Sequence, residues 1–418
     1  MTQRRFIMTL ERRTFLKSLL SIGGAGLFPW KSLFSSTSQK HTPLKKDPRK
    51  VLHLHPQFEY SIVQKIGDRM SDKFSALGVP DGMGCFPGTG DQVILMRNHE
   101  INFYQWHLAG AGPFKLGAHF PGGVTRLVWD EKKRYLVDSR QTLKNTLRNC
   151  AGGISPWGWL TCEETLMFGH GHVYLCPTDR NDCMNTQIIK SYGRMNHEAV
   201  CIDPRNNYAY LSEDRDDSCF YRFVPRNKNK PFEGKLQALA IKGEKKFTTY
   251  SKFDAKKTYQ VEWVDLDNQD KDDLRFQGQK LGAAVFKRGE GIFFDSNQVY
   301  FCCTTGGPVE KGQVFRYSPD KEEIDLVIQS EDHKTLNMPD NICLSPNGDL
   351  VMAEDGGDCH IRVLTSSGKL ITLAQNFNSR NEITGVCFSP SGQTLFCNLQ
   401  HEGITVALHG PFHRLKHL

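Results

Sequence analysis

The feature that most constrains the fold of this chain is a recurring two-stranded hairpin. Its strands are short, apolar and rich in β-branched or aromatic residues, and a turn of the Ser/Asp-Pro-x-Asn/Gly type usually joins them. Clear copies occupy 199–214, 291–305, 341–356 and 385–400, a looser copy occupies 125–138, and a truncated copy occupies 154–164. Repeats of 40–50 residues that hold several strands each are typical of propeller blades.

The spacing of these copies predicts an all-β fold, a six-bladed β-propeller with a metal site in its central channel. About six blades fit residues 50–410, and helical periodicity is nearly absent there. A β-sandwich array is the alternative, but it would not bring equivalent strand ends together at one point. We expect residues 41–418 to form a single catalytic domain, and residues 1–40 to be a signal peptide with a polar spacer.

The N-terminal region has the pattern of an export signal. Residues 11–17 contain the twin-arginine pair Arg12-Arg13, and a weakly apolar stretch, too short to span a bilayer, follows over 18–28. Twin-arginine signals direct bacterial export, and this route carries proteins that are already folded. The sequence therefore predicts a periplasmic or secreted protein that engages the twin-arginine translocase and carries a cofactor loaded in the cytoplasm.

The net charge and its distribution limit the classes of function that fit this chain. The net charge is +7, but the Lys and Arg residues are scattered, which argues against nucleic-acid recognition. We expect no stable membrane span in the mature form, and a monomer, because propellers close on themselves.

The 13 cysteines form no zinc-type CxxC pair. Cys201, Cys343 and Cys387 occupy matching strand positions and are expected to be buried thiols, whereas Cys150 and Cys162 flank a Gly-rich turn.

Six short polar motifs adjoin the apolar strands, and all of them carry carboxylates. They are NHE at 98–100, NCAGGISPWGWLTCEE at 149–164, MNHE at 195–198, SED at 212–214, RGEG at 288–291 and AEDGG at 353–357. Acidic residues are costly beside apolar strands unless a cation or a partner offsets their desolvation. Because equivalent blade positions face one channel, the motifs predict a shared cationic site.

Two of these motifs carry the most specific chemistry. Arg288 and Glu290 are two residues apart in an extended segment and point to the same side. The guanidinium fork could bind a phosphate oxyanion, although an ordinary surface ion pair has the same spacing. Cys162 precedes Glu163 and Glu164, and a thiolate with carboxylates favours a transition metal such as iron. A buried structural cysteine is the alternative.

The other acids are candidate ligands through their shared position in the repeat. Glu213 with Asp214 and Glu354 with Asp355 form paired acids at matching blade ends, as expected for ligands of a hard cation. Glu100 and Glu198 follow Asn-His, and Asp340 and Glu382 each precede a hairpin. Solvated loop acids are the alternative for each of them.

The order of these motifs resembles that of the PhoX-type alkaline phosphatases. The resemblance covers roughly residues 90–412, and its TCEE and R-x-EG segments are specific. It implies a six-bladed propeller, exported by the twin-arginine route, that hydrolyses small-molecule phosphate monoesters. The site of that family holds two ferric ions, a bridging oxo group and several calcium ions.

Carried over residue by residue, the resemblance implies a role for each motif. Cys162, Glu198 and Glu290 would bind the iron pair, and Arg288 would contact the phosphoryl group. Calcium binding or orientation of the cluster would fall to Glu163, Glu213, Glu354, Glu100, Asp340 and Glu382. Two other hypotheses remain open at this point, a calcium-dependent propeller esterase or lactonase and a non-catalytic binding propeller pinned by calcium.

Overall fold

The structure is a computed structural model that describes residues 42–109, 119–267, 269–332, 334–378 and 381–418. The predicted signal peptide lies outside the described residues. Within the described ranges, no helix is long and apolar enough to cross a membrane.

Strands dominate the described residues. In chain order they are β1 Leu52–Leu54, β2 Glu59–Lys65, β3 Pro80–Pro87, β4 Gln92–His99, β5 Gly122–Asp130, β6 Tyr135–Thr146, β7 Asn149–Ser155, β8 Gly158–Glu163, β9 Val173–Cys176, β10 Gln187–Ile189, β11 His197–Asp203, β12 Tyr208–Glu213, β13 Tyr221–Asn227, β14 Lys230–Ile241, β15 Tyr259–Asp265, β16 Gly289–Asp295, β17 Gln298–Cys303, β18 Gln313–Ser318, β19 Glu323–Gln329, β20 Pro339–Leu344, β21 Leu350–Glu354, β22 His360–Leu364, β23 Leu370–Asn376, β24 Ile383–Phe388, β25 Thr394–Leu399 and β26 Ile404–His409. The helices are α1 Thr249–Lys252, α2 Leu274–Lys280 and short 3-10 turns at Trp106–Leu108, Met167–Gly169, Lys190–Tyr192 and Phe412–His417.

These strands form six blades around a central axis. Blade 1 holds β3–β6, blade 2 β7–β10, blade 3 β11–β14, blade 4 β16–β19, blade 5 β20–β23 and blade 6 β24–β26 with β2. The first strand of each blade is its inner strand, and each inner strand contacts the next until β24 meets β3. The predicted six-bladed propeller is therefore confirmed. Hydrogen bonding joins blades 3 and 4 into one nine-stranded sheet, because β15 pairs with both β14 and β19.

The N-terminal strands close the ring. β2 pairs with β26 at the outer edge of blade 6, and β1 pairs with β23 at the outer edge of blade 5. Arg97 of blade 1 is buried and donates to Thr405 on β26 and to Gln64 on β2, both at 2.7 Å. One side chain thus links the first blade to both chain ends in the last.

Apolar side chains fill the gaps between blades. Each of the six interfaces between neighbouring blades has its own buried hydrophobic cluster. All 13 cysteines fall in the described ranges, and all are free and buried, including the three expected as buried thiols. Because neighbouring blades share these clusters, the inner strand ends are held in fixed relative positions.

Small residues let the inner strands approach each other closely. A Cβ added to Gly82 would lie 2.5 Å from Cα of Ala151 in the next blade. A Cβ on Gly153 would lie 1.6 Å from the carbonyl oxygen of Val200 in blade 3. Both contacts are with backbone atoms, which cannot move aside without shifting a strand.

We therefore expect Gly153→Ala to lower the free energy of unfolding by about 2–4 kcal/mol, because overpacking here displaces an inner strand. Chemical denaturation followed by tryptophan fluorescence would measure the loss. Gly90→Ala is the matched control, since that glycine has a positive φ but no atom near the added Cβ. Equal losses in the two variants would contradict the proposed close contact between blades 2 and 3.

Candidate metal centre

Every blade brings its inner strand to the axis in the same register. The first residue of each inner strand pairs with the last residue of the second strand, and a β-bulge follows. Bulges re-aim neighbouring side chains and are frequent beside functional sites. The second residues of the inner strands thus occupy equivalent places, which we call the first ring: Asp81, Cys150, Glu198, Glu290, Asp340 and Thr384.

Another set of equivalent residues directly follows the second strand of each blade. We call it the second ring: Glu100, Glu164, Asp214, Thr304, Asp355 and Gln400. Each of their N–H groups donates to the carbonyl of the residue just before the inner strand, for example from Glu164 to Arg148 at 2.9 Å. This repeated hydrogen bond holds both rings at the same end of the channel.

Seven carboxylates and the Cys150 thiol of the two rings lie close together with Glu382, which directly precedes the inner strand of blade 6. Their ligand atoms form four overlapping groups, and within each group the atoms lie within 4.8 Å of one another. The groups are Asp81, Glu100 and Cys150; Cys150, Glu164 and Glu198; Glu198, Glu290 and Asp340; and Asp340, Asp355 and Glu382. Since consecutive groups share a member, they form one continuous acidic cluster.

Glu198 is the clearest sign that the acidic cluster is built for cations. It is 1 % exposed, and neither of its carboxylate oxygens has a hydrogen-bond partner among the described residues. Burial, and then the Asp340 carboxylate, raises the pKa of Glu198 well above its ordinary value. A buried carboxylate without a donor carries a large desolvation cost. A cation would supply the missing partner, so the residues present fit a metal centre.

Burial also raises the pKa of other acids in the acidic cluster. Burial and the neighbouring Asp355 carboxylate raise the pKa of Asp340 to about 7. Burial raises the pKa of Asp355 to about 6. Metal ligands have to be deprotonated, so protons compete with cations for these oxygens near neutral pH.

The donor chemistry changes along the acidic cluster. Cys150 belongs to two of the four groups, and its Sγ lies 3.6 Å from Oδ2 of Asp81. A thiolate among carboxylates favours a transition metal. The two groups that contain Asp340 offer only carboxylate oxygens, the ligands that calcium prefers. The acidic cluster therefore offers two kinds of metal site side by side.

Two arginines lie beside the acidic cluster. Arg288 donates to both carboxylate oxygens of Asp214, at 2.8 and 3.0 Å. Arg148 donates to Glu100 at 3.0 Å and also to Glu164. Both arginine side chains are partly exposed, so their guanidinium groups extend from the buried acids toward solvent. Nε and Nη2 of each arginine donate to these acids, and Nη1 of each, which has no described acceptor, could donate to an oxyanion.

Neutral side chains hold the backbone of the rings. Asn98 donates to the carbonyls of Cys150 and Ala151, at 2.8 and 2.7 Å, and accepts from the indole N–H of Trp159. Gln400 donates to Asp81 and to Glu100, both at 2.9 Å. These contacts fix the thiol end of the acidic cluster between blades 1, 2 and 6.

The structure brings several of the predicted site residues together. Arg288 contacts Glu290 at 2.9 Å. The predicted ligands in the acidic cluster are Glu100, Glu198, Glu290, Asp340 and Glu382.

The structure does not bring Cys162 and Glu163 into the acidic cluster. Cys162 packs in the apolar cluster between blades 2 and 3 and is fully buried. The oxygens of Glu163 accept hydrogen bonds from His170 and from three backbone N–H groups. A carboxylate with so many donors holds a loop, and the thiol in the acidic cluster belongs to Cys150.

Glu213 and Glu354 occupy the same place as Glu163 in blades 3 and 5. The hydroxyl of Tyr221 donates to Glu213 at 2.5 Å. Glu354 accepts from Nε of Arg362 at 3.1 Å and from the backbone N–H of His360, also at 3.1 Å. In each acid pair, therefore, the first member is bonded within its blade, and the second member belongs to the second ring.

Sequence reasoning missed Asp81 and Arg148. It named Asp214 and Asp355 as candidate ligands of a hard cation, and it noted Cys150 and Glu164 without giving either an individual role. A signal for Asp81 was available, because Val79-Pro80-Asp81 repeats the pattern of Met338-Pro339-Asp340. The acid pairs are visible in the sequence, but only their hydrogen bonds in the structure show which member of each pair belongs to the second ring.

Comparison with known proteins identifies a family that this chain matches. Residues 134–403 match the family described as alkaline phosphatase PhoX. A comparison with curated proteins finds no match. The matched range includes most of both rings and Arg288.

Solved structures give the fold independently. PhoX of Pseudomonas fluorescens, in complex with the transition-state analogue vanadate, has a TM-score of 0.70 at 16 % identity, and the match covers 89 % of this chain and 97 % of that one. A Bacteroides thetaiotaomicron protein of unknown function has a TM-score of 0.49 at 9 % identity, with 84 % and 76 % covered. A Xanthomonas campestris gluconolactonase has a TM-score of 0.47 at 12 % identity, with 90 % and 99 % covered. At these identities, the first of the three supports the propeller fold, and the other two are too distant to add to it.

The raised pKa values predict an unusual dependence of stability on pH. In metal-free protein the folded state keeps protons on Asp340 and Asp355 that the unfolded state releases near pH 4. Stability should therefore fall as pH rises from about 4 to 7, because the folded state binds more protons over that range. Thermal denaturation in chelator should show this fall, and added calcium should raise Tm more at pH 8 than at pH 5.

Asp340→Asn tests the assignment of this effect. The variant removes one titrating carboxyl, so its Tm in chelator should depend less on pH than that of the wild-type chain. Asp325→Asn is the control, since that aspartate pairs with Arg316 on the outer strands of blade 4. An unchanged slope in Asp340→Asn would contradict the buried, protonated state of Asp340.

Proposed function

Because this chain belongs to the alkaline phosphatase PhoX family, we propose that it hydrolyses phosphate monoesters at an iron–calcium cluster after twin-arginine export. As a member of this family, the chain is a phosphoric ester hydrolase. The metal composition, the monoester specificity and the export route are the proposed parts. Export is supported by Arg12-Arg13 and the weakly apolar stretch that follows them.

The observation that carries the proposal is the continuous acidic cluster, with the unpartnered carboxylate of Glu198 at its centre. Such a concentration of buried negative charge would oppose folding unless cations neutralise it. The vanadate complex of Pseudomonas fluorescens PhoX supports a phosphoryl-transfer site in the same fold. The two observations together favour a metal-dependent phosphatase over a propeller that only binds calcium.

We assign the iron ligands to the two groups that share Glu198, of which one contains Cys150 and the other contains Glu290. Cys150 replaces Cys162 as the proposed thiolate, and Glu198 and Glu290 keep their proposed role as iron ligands. Of the two oxygen-only groups, the one formed by Asp340, Asp355 and Glu382 suits calcium. Asp81, Glu100 and Glu164 share groups with Cys150, and Arg148 donates to the last two of them.

The chemistry divides between the metals and the protein. Phosphate monoester hydrolysis is extremely slow without catalysis. When bound, an iron–calcium cluster supplies Lewis-acid charge to the phosphoryl group and acidifies the attacking water. Arg288 binds a phosphoryl oxygen through Nη1 of its guanidinium group and stabilises the charge that the phosphoryl oxygens carry in the transition state. Asp214 orients Arg288 through two hydrogen bonds.

Cys150→Ser should lower the iron affinity by at least about tenfold, because even the outer partners of metal ligands are worth that much. Elemental analysis of protein purified after export would measure iron and calcium, and the visible thiolate-to-iron absorption band should disappear. Cys162→Ser is the matched control, since that thiol is equally buried but packs among apolar side chains. Loss of iron in Cys162→Ser with iron retained in Cys150→Ser would reverse our assignment.

Arg288→Ala should reduce kcat/KM for an aryl phosphate by about 100- to 1,000-fold, as for the loss of one transition-state donor. Iron and calcium should still be bound at saturating metal concentrations, because Arg288 contacts Glu290 but is not itself a ligand. Arg316→Ala controls for the loss of an ion-paired arginine elsewhere in blade 4. Unchanged turnover in Arg288→Ala would exclude its assigned role.

Elemental analysis also separates the rival functions. Calcium without iron, together with ester or lactone hydrolysis, would favour a calcium-dependent propeller esterase or lactonase. Calcium without any turnover on an ester panel would favour a binding propeller in which calcium is structural.

A further inference from the structure

We propose that Arg148 is a second phosphoryl-binding residue, and that Arg148 and Arg288 together select phosphate dianions over monoanions. This inference rests on the proposed function and names the residues that determine its specificity.

Arg148 and Arg288 occupy equivalent places in the propeller. Each is the residue directly before the inner strand of its blade, in blade 2 and blade 4. Each has a left-handed backbone, with φ of +49° and +51°. The carbonyl of each accepts the N–H of the second-ring residue of its own blade, Glu164 or Thr304. The repeat therefore places the two guanidinium groups in the same relation to the axis.

The left-handed backbone belongs to the repeat and not to the arginines alone, because Val79 and Met338 at the same position have φ of +45° and +58°. The same position holds four other residues around the ring: Val79, Asn196, Met338 and Glu382. Only blades 2 and 4 place an arginine there. Asn196, in the blade between them, is neutral and accepts a hydrogen bond from Arg215 at 3.0 Å. The two arginines thus flank blade 3 with no acid at the intervening position.

The side chains repeat the same contact with the preceding blade. Arg148 donates to Glu100, the second-ring acid of blade 1, and Arg288 donates to Asp214, the second-ring acid of blade 3. Each arginine also contacts a ring acid of its own blade. Exposure is similar, at 30 % for the Arg148 side chain and 26 % for the Arg288 side chain. Both guanidinium groups are therefore oriented by acids and remain accessible from solvent.

Two such groups suit a dianion. A phosphate monoester carries close to two negative charges at alkaline pH, whereas a diester carries one. In each arginine, Nε and Nη2 donate to acids, and Nη1 has no described acceptor. Nη1 of Arg148 and Nη1 of Arg288 would each donate charge-assisted hydrogen bonds to a different phosphoryl oxygen, and a diester has fewer unsubstituted oxygens to accept them. Selection for monoesters follows from charge and from the number of free oxygens.

The competing explanation is that Arg148 only neutralises Glu100 and Glu164 and so supports the loops that follow them. Its backbone is part of that support, since its N–H donates to the carbonyl of Ile101. A purely supporting arginine would affect every anion equally when it is removed. A phosphoryl-binding arginine would affect dianions more than monoanions.

The experiment compares two inhibitors of aryl phosphate hydrolysis by the metal-loaded protein at pH 8. Inorganic phosphate is the dianion, and dimethyl phosphate is the monoanion. Arg148→Ala should raise the inhibition constant of phosphate by about 10- to 100-fold, as expected for a lost charged hydrogen bond. The constant for dimethyl phosphate should change less than about threefold, since its smaller charge depends less on a second arginine. Arg148→Lys should recover part of the affinity for phosphate, because it keeps the charge but not the fork.

The matched control is Arg194→Ala. Arg194 donates to the carbonyls of Leu166 and His170, at 2.7 and 3.0 Å, and so holds the loop after Glu164 without contacting the acidic cluster. This variant should leave the ratio of the two inhibition constants unchanged. Equal effects of Arg148→Ala on both inhibitors, or a loss of affinity that only parallels a loss of bound metal, would overturn the proposal.

Failure of the proposed function is distinguishable from failure of this inference. If the wild-type chain hydrolyses no phosphate ester, the proposed function fails, and calorimetric titration with inorganic phosphate then tests Arg148 alone. If the wild-type chain is active and Arg148→Ala binds phosphate normally, the function stands and the inference is wrong.

Discussion

Mutual repulsion among buried carboxylates is the constraint on which the rest of this structure depends. Acids placed this closely raise one another's pKa and would separate if their supports were flexible. The propeller prevents separation, because each acid sits at a strand end whose register is fixed by a bulge and by apolar packing between blades. Apolar packing at the six interfaces between blades therefore keeps the acids close together, and bound cations would make this arrangement of carboxylates favourable.

The paired acids show how one short motif serves two physical purposes. In blades 2, 3 and 5 the first acid of the pair accepts hydrogen bonds within its own blade, as Glu163, Glu213 and Glu354 do. The second acid is thereby held at the channel, where Glu164, Asp214 and Asp355 belong to the second ring. In each two-acid motif, therefore, the second acid is a candidate ligand and the first acid fixes the backbone beside it. The hydrogen bonds of the first acid explain why the second stays in place despite repulsion between carboxylates.

The sequence allowed the fold to be predicted because the hairpin repeat is a local signal. Strand, turn and strand recur within about 16 residues, and the period of the copies identifies blades without any long-range information. The site was predictable in outline for the same reason, since Glu198, Glu290 and Asp340 have obvious places in the repeat. The thiol was not, because Cys150 and Cys162 both flank the same turn and both are buried. What separates them is the direction of each side chain, into the channel or between blades 2 and 3, and that direction depends on a bulge between Asn149 and Gly152 that composition does not reveal.

The site is asymmetric because the six blades carry different side chains at equivalent positions. Thr384 and Gln400 replace acids at both ring positions of blade 6, while its acid, Glu382, moves to the place that holds arginine in blades 2 and 4. The acids of blades 5 and 6, Asp340, Asp355 and Glu382, therefore have no arginine at the equivalent place in their own blades, and the two arginines lie on either side of blade 3. An anion that approaches the channel is attracted to the arginine side, and hard cations are held on the opposite side. A symmetric frame of equivalent strand ends becomes an asymmetric site through the identity of the side chain at each place.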